Sequence, residues 1–392
     1  MSLTRRAFAR GGLGAAGLVA FARGGFAATP PKAPVTINVI DVAGNLALTR
    51  SAFDAYRAAK PNFVSGFTFT QSPAPELPAK IKAQQAAGRL EIDLVLTGTD
   101  ALAAGIEQNL WTVLLPAHAY DLPDLDQVYL PAAAKMQTLA KGQGVVVTYY
   151  PSGPLFEYMP DAVKTPPSTA PELLAWAKAN NGLFMYARPA NSGPGRTLLM
   201  GLPYILGDKD PMDPQNGWDK TWAYLKELGE TIEYYPSGTG ATMKELGEGS
   251  RDMIATTTGW DINPRALGIV PKEAKVFALQ GMHWVADAHY MCVPKGASGD
   301  KLAVLLDLMS YLLTPKSQAF AYDQGYFYPG PAVKDVPLSM APPASQEAIK
   351  QYGRPEYAAM IKAHPIEQPL PAAAMVLAFR LWDERIGGAK RR

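Results

Sequence analysis

The sequence predicts an α/β chain with mainly parallel strands, organised in about two domains. Three observations carry this. The chain has 392 residues, long for one ordinary core, and 48% of them are hydrophobic against 18% charged, which supplies sizeable cores and excludes wholesale disorder. Its 35 Gly and 35 Pro call for many turns rather than for a helical bundle. Short apolar runs with strand character alternate with helical stretches from one end to the other.

The elements are read in chain order. After a Pro-rich linker from Thr29 to Pro34, Val35-Thr36-Ile37-Asn38-Val39-Ile40 alternates like a first strand. A Gly44-Asn45 turn leads into a helical stretch through Phe53 and Tyr56. Residues 77–90 form a helix with Pro78 in its first turn, where a missing N–H removes no bond. Ile92 to Leu96 is a strand ending in Thr97-Gly98-Thr99-Asp100, and a helix over 101–109 follows. A strand from Val145 to Tyr150 closes at Pro151-Ser152-Gly153 and opens a second α/β set. That set has helices at 170–180, 195–206, 217–229 and 241–247, with strands at 183–186, 231–235 and 253–256. Ala288 to Pro294 is a further strand, 300–327 is largely helical, and 344–386 is helix-rich. Tyr-Tyr-Pro-Ser-Gly occurs at 149–153 and at 234–238, and two copies do not make a repeat architecture.

The N-terminus carries the most specific local signal. Arg5-Arg6 precedes Phe8, an uncharged run rich in Gly and Ala spans 11–22, and Gly25-Phe26-Ala27 offers a small-x-small cleavage site. A positive head, a short weakly apolar run and small residues at the exit describe an export signal over 1–27, and the paired arginines point to the twin-arginine (Tat) route. The apolar run is shorter than the roughly 20 residues a spanning helix needs. No cysteine lies near the cleavage site, so a lipid anchor there is not expected. A soluble, exported mature protein is the expectation.

Composition narrows the functional classes. The formal charge is +2, but residues 1–27 hold four Arg and no acid, so the remainder has 33 basic against 35 acidic residues. A nearly neutral mature chain gives no reason to expect nucleic acid as a partner. The one cysteine, Cys292, excludes an internal disulfide and a Cys-based metal cluster. His289 lies three residues from Cys292, so on one strand the two face opposite sides and form no nucleophile–base pair. Gly-x-Ser-x-Gly, His-Glu-x-x-His and P-loop motifs are lacking, and there are four His. A Tat-exported enzyme remains the competing class, with any triad or zinc site built around His283 or His289.

The order of the elements resembles the family 1 extracellular solute-binding proteins of ABC importers, especially the spermidine/putrescine-binding branch. The segments that carry the resemblance are Lys80 to Gly88 followed by Glu91 to Gly98, and Gly105 to Trp111 running on to Leu114-Leu115-Pro116. Further ones are Lys244 to Gly249 before a strand, Thr257-Thr258-Gly259-Trp260-Asp261, and Asp287 to Gly296. The resemblance implies two α/β lobes joined by crossing strands near 145–153 and 287–294, a ligand in the cleft, and hinge closure upon it. It divides the chain into a first lobe at 28–147, a second at 148–287 and a return to the first lobe with C-terminal helices at 288–392. It also implies a monomeric receptor without a cofactor whose partners are a small solute and a membrane permease.

Candidate ligand residues come from loops at strand ends. Thr99 and Asp100 end a strand and precede a helix, where a helix cap and a ligand contact fit equally. Trp260 offers an aromatic face to an organic cation and Asp261 a carboxylate to pair with it, as in the resembled branch; a core Trp beside a surface Asp is the alternative. Asp287 and His289 share a strand face, and the histidine departs from the aromatic and acidic pattern of the polyamine binders. Arg188, Asn191 and Ser192 precede a helix in a setting that suits an anion, with Arg265 as a further cation; a helix cap with Arg188 in a salt bridge is the bland reading and the one slightly favoured. Tyr149 or Tyr150 is placed in the hinge cleft, with Tyr149 taken as the candidate, and the pairs Tyr149-Tyr150 and Tyr234-Tyr235 raise ferric ion as another ligand. An amine or a zwitterion of polyamine type is the leading ligand class, with a carboxylate or phosphonate as the alternative.

Overall fold

A computed structural model of the protein describes residues 30–42 and 46–390, so the export signal read at 1–27 lies outside the described residues. The strands among the described residues are β1 (Val35–Asp41), β2 (Val64–Gln71), β3 (Leu94–Thr97), β4 (Val145–Gly153), β5 (Leu155–Tyr158), β6 (Phe184–Met185), β7 (Met253–Thr256), β8 (Lys275–Phe277), β9 (Trp284–Cys292), β10 (Gly330–Pro331) and β11 (Ile366–Glu367). They form two sheets. The larger runs β10-β4-β9-β3-β1-β2 with β11 beside β9, and the smaller runs β6-β7-β5-β8. Each sheet has its own hydrophobic core, which makes the α/β chain two-lobed.

In the first lobe β1 lies between β2 and β3, parallel to both, so three strands end side by side at one edge. The long strands β4 and β9 pair antiparallel and are buried along their whole lengths, as their near-continuous apolar residues require. One residue separates β4 from β5, so the chain steps there from the first sheet to the second, and it returns between β8 and β9. The hinge therefore consists of the inner ends of β4 and β9.

Four sequence expectations change. Residues 64–71 form a strand not foreseen, whose Phe67 and Phe69 pack edge-on against Phe53 at 5.0 and 5.6 Å. Residues 231–235 form none, because the Tyr235 ring turns into the second core against Tyr186 and Trp382. The long helix at 300–327 is interrupted: Pro315 starts a new turn capped by Thr314, and 3₁₀ turns follow over Ala319–Gly325. The last helix, Ala372–Trp382, expected in a return to the first lobe, buries Met375, Ala378, Leu381 and Trp382 in the core of the second. It also packs on helix Thr99–Glu107, so it straps the lobes together. No helix among the described residues is long and apolar enough to cross a membrane.

Candidate functional site

The parallel strands of the first lobe deliver their carboxyl ends to the cleft, where α/β sheets bind ligands. Asp41 ends β1, Gln71 ends β2 with Ser72 after it, and Gly98 and Asp100 follow β3. These residues line a cavity of ≈ 390 Å³, within the usual range for small-molecule sites of about 300–1,000 Å³. The opposite wall comes from helix starts in the second lobe. Asn191, Ser192 and Gly193 open helix Gly193–Leu206, Thr239 opens helix Thr239–Gly247, and Trp260 lies in the first turn of helix Thr258–Ala266. Ser192 caps its helix by accepting from the Gly195 N–H at 3.2 Å, and its hydroxyl meets that of Thr239 at 2.7 Å.

Aromatic rings close the remaining side. Trp260 lies 5.1 Å from Tyr326, Tyr326 lies 4.3 Å from Phe327, and Phe327 stacks on Tyr150 at 5.0 Å and meets His289 edge-on at 4.0 Å. All five rings reach the cavity. Gly259 lets the helix carrying Trp260 approach this closely, since a Cβ there would overlap the Tyr326 carbonyl oxygen.

Charge enters through one buried cluster. Arg196, one turn into helix Gly193–Leu206, donates to Asp100 at 2.7 Å and to Asp287. Asp287 also accepts from Thr99 and Tyr150, each at 3.1 Å, and from the Ala288 N–H at 2.9 Å. Two lobes and a hinge strand thus meet in one ion pair network. Burial tends to raise the Asp287 carboxyl, but the Arg196 guanidinium and the Ala288 N–H outweigh it and hold the group below its usual range. His289 is pushed down to about 3, because desolvation of a charged imidazole outweighs the attraction of Asp287, so the ring is neutral. Carboxylates outnumber cations around the cavity: Asp41, Asp100 and Asp287 against Arg196.

The structure brings Trp260, Asp100, His289, Asn191 and Ser192 to this cavity. Thr99 and Asp287 lie just beneath, in the Arg196 cluster. Three candidates go elsewhere. Asp261 is wholly buried and accepts from Arg265, Arg354 and Tyr357, because adjacent helical residues diverge by about 100° and it faces away from Trp260. Tyr149 turns into the first-lobe core, on the opposite face of β4 from Tyr150. Arg188 is bound to Asp383 at 2.5 Å and to the Gly387 carbonyl at 2.9 Å, beside a separate cavity that also holds Tyr234 and Tyr235. The two tyrosine pairs therefore do not converge, and no His, Cys, Asp and Glu cluster among the described residues is arranged to hold a metal.

Sequence reading missed Asp41, Arg196, Tyr326 and Phe327. Asp41 directly follows the first predicted strand, and the rule about strand ends was sufficient to find it. Arg196 was signalled by its spacing, four residues after the Ser192 cap. Tyr326 and Phe327 carried no signal, since they reach the cavity only because Pro315 breaks the preceding helix.

A two-lobed α/β architecture with a cavity at the strand ends between the lobes is built to enclose a small molecule. The chain belongs to the bacterial extracellular solute-binding proteins, whose family model matches residues 51–351. Solved structures of this shape include the periplasmic binding protein AfuA from Actinobacillus pleuropneumoniae with fructose-6-phosphate bound, at 16% identity and TM-score 0.63, covering 91% of this chain and 99% of that one. A periplasmic thiamin binding protein is similar at 14% identity and TM-score 0.63, covering 92% and 97%. A putative spermidine/putrescine ABC transporter protein from Listeria monocytogenes is similar at 12% identity and TM-score 0.60, covering 88% and 99%. At such identities the likeness shows the fold alone. No curated protein matches the chain. The family and these structures are binding proteins, and membership implies a periplasmic location, a small solute and an ABC permease as partner.

Proposed function

We propose that this protein is the solute receptor of an ABC importer, exported by the twin-arginine route through residues 1–27, and that its ligand is a small organic amine or zwitterion. The observation that carries the ligand class is the cavity's charge balance beside its aromatic wall. Arg196 is already shared between two carboxylates, and His289 is neutral, so the lining is net negative. Asp41 lines the same cavity as the Trp260 and Tyr326 rings, so a carboxylate and two aromatic faces share it. An ammonium group fits between aromatic faces and a carboxylate.

One observation favours a negative group as well. The starts of helices Gly193–Leu206 and Thr239–Gly247 open on the same wall, joined through the Ser192 and Thr239 hydroxyls, and helix N-termini favour anions. A zwitterion uses both walls, with its ammonium at Asp41 and its carboxylate at the helix starts. The polyamine reading uses only the first wall.

Calorimetry of the purified protein against putrescine, glycine betaine, a simple carboxylate and a phosphate ester tests this. Binding of putrescine or betaine, weakened by Asp41→Asn, is the expected result. Binding of the carboxylate or phosphate ester alone, unchanged by Asp41→Asn, would overturn the amine reading. A bound ligand at hundredfold excess over Kd raises native stability by about 2.7 kcal/mol, so thermal shifts give the same answer independently.

A further inference from the structure

A second cavity of ≈ 570 Å³ lies beside the first and shares two of its wall residues, Pro73 and Asn191. The Asn191 side chain is the partition. Its Oδ1 accepts from the Ala74 N–H of the first lobe at 3.3 Å, and its Nδ2 donates to the Ser237 carbonyl of the second at 2.7 Å. One amide side chain thus stands between the two spaces, held by one bond to each lobe.

The second space differs in chemistry from the first. Its walls include the rings of Tyr234, Phe379 and Trp382 and the prolines Pro75 and Pro236. Its cation, Arg188, is bound to Asp383 and the Gly387 carbonyl and lies over the Trp382 ring at 5.4 Å. What remains for an occupant is mostly aromatic and apolar surface, the kind that receives a ring or an alkyl chain.

We infer that the two cavities bind one ligand, an amine whose charged end sits by Asp41 and whose aromatic or long apolar tail passes Asn191 into the second cavity. This rests on the amine reading above. The first space, at ≈ 390 Å³, takes the head group, and the second adjoins it, with Asn191 and Pro73 lining both. A tail there touches both lobes and the strap helix Ala372–Trp382, so it adds to lobe closure as well as to contact area.

The test is a calorimetric series with n-butylamine and ω-phenylalkylamines carrying two to six methylenes, on the full protein and on Phe379→Ala, Phe379→Leu and Asp41→Asn. At the chain length that reaches the second cavity, the phenyl compound is expected to bind at least about tenfold tighter than n-butylamine, with one molecule per chain. Phe379→Ala is expected to remove that gain, Phe379→Leu to keep part of it, and both to leave n-butylamine unchanged. Asp41→Asn is expected to weaken every amine. If n-butylamine binds and no phenyl compound gains, the tail proposal falls and the amine reading stands. If phenyl compounds bind with a second stoichiometric site that ignores Asp41→Asn, the cavities are independent and the proposal is overturned. If no amine binds, both fall together.

Discussion

Arg196 and Arg265 each sit on a second-lobe helix that starts at the cleft, and each is bound to an aspartate that the sequence offers as a ligand group. Their surroundings are opposite. Arg196 is one guanidinium between two carboxylates, Asp100 and Asp287, and it opens onto the cavity together with Asp100. Asp261 is one carboxylate beneath two guanidiniums, Arg265 and Arg354, with the Tyr357 hydroxyl added at 2.7 Å. Beside it, burial and the Asp261 carboxylate push the Glu157 carboxyl well above the usual range. The first cluster keeps an excess of negative charge toward solvent and ligand. The second is enclosed and ties the Trp260 helix to the Ala274 carbonyl and to the helices Pro343–Tyr352 and Glu356–Ala363. A carboxylate's role therefore follows from the number of cations already on it, and the deciding cation, Arg196 in one cluster and Arg354 in the other, lies more than 90 positions away in sequence.

The largest effect belongs to the enclosed cluster. Asp261→Ala leaves two guanidiniums buried without their shared carboxylate, and breaking such a pair costs about 3–5 kcal/mol. Urea unfolding of the ligand-free protein is expected to show that loss. A midpoint equal to wild type would mean that the cluster is not structural, and the contrast with Arg196 would collapse.

Acidity separates the cleft from the loop behind it. His289, at about 3 when folded against 6.5 when unfolded, takes up its proton on unfolding, so it contributes stability that is present above pH 6.5 and lost as pH falls toward 3. Asp323, at about 7 when folded against 3.8 when unfolded through burial alone, acts the other way: its contribution is present below pH 3.8 and lost as pH rises toward 7. The two nearly cancel between pH 4 and 6.5. His289→Gln is therefore expected to leave a protein that weakens as pH rises over that range, and Asp323→Asn one that weakens as pH falls, each by about 2–3 kcal/mol relative to wild type. Parallel profiles for all three proteins would show that neither side chain is buried as described.

Trp260→Ala probes the same helix from the ligand side. Trp260 shares a helix with Asp261 but turns its ring to Tyr326 and the cavity. With putrescine or betaine as the probe, whichever binds, the loss of a desolvated cation–aromatic contact is expected to raise Kd at least about tenfold, or 1–2 kcal/mol. The unfolding midpoint is expected to move far less than in Asp261→Ala. Unchanged affinity in calorimetry would remove Trp260 from the site.

Much of the fold was legible because strand alternation and helix caps are local. Val35 to Ile40, Val145 to Tyr150 and Met253 to Thr256 read as strands from their side chains alone. The strand at 64–71 was not, since Gly66 and the polar residues between Phe67, Phe69 and Gln71 weaken its apolar pattern. The cavity was legible where a side chain's direction follows from the end of its element, as at Asp100, Asn191 and Ser192. It was illegible where direction depends on a distant partner: Asp261 lies under Arg354, Arg188 under Asp383, and Tyr326 comes from a loop beyond a proline break.

The smallest effect tests strand parity itself. Tyr149 and Tyr150 are neighbours on β4, and alternation sends one ring to the first-lobe core and the other to the cavity. The Tyr150 hydroxyl donates to Asp287 at 3.1 Å, and its ring stacks on Phe327. Tyr150→Phe keeps the stack and removes one donor from a carboxylate that still has Arg196, Thr99 and a backbone N–H. About 0.5–1.5 kcal/mol is expected, shared between stability and ligand affinity. Tyr149→Phe is expected to leave affinity unchanged, because its hydroxyl does not reach the cavity. Equal losses of affinity from both variants would mean that the strand is rotated or slipped by one residue, and the Arg196 cluster would then have to be rebuilt around Tyr149.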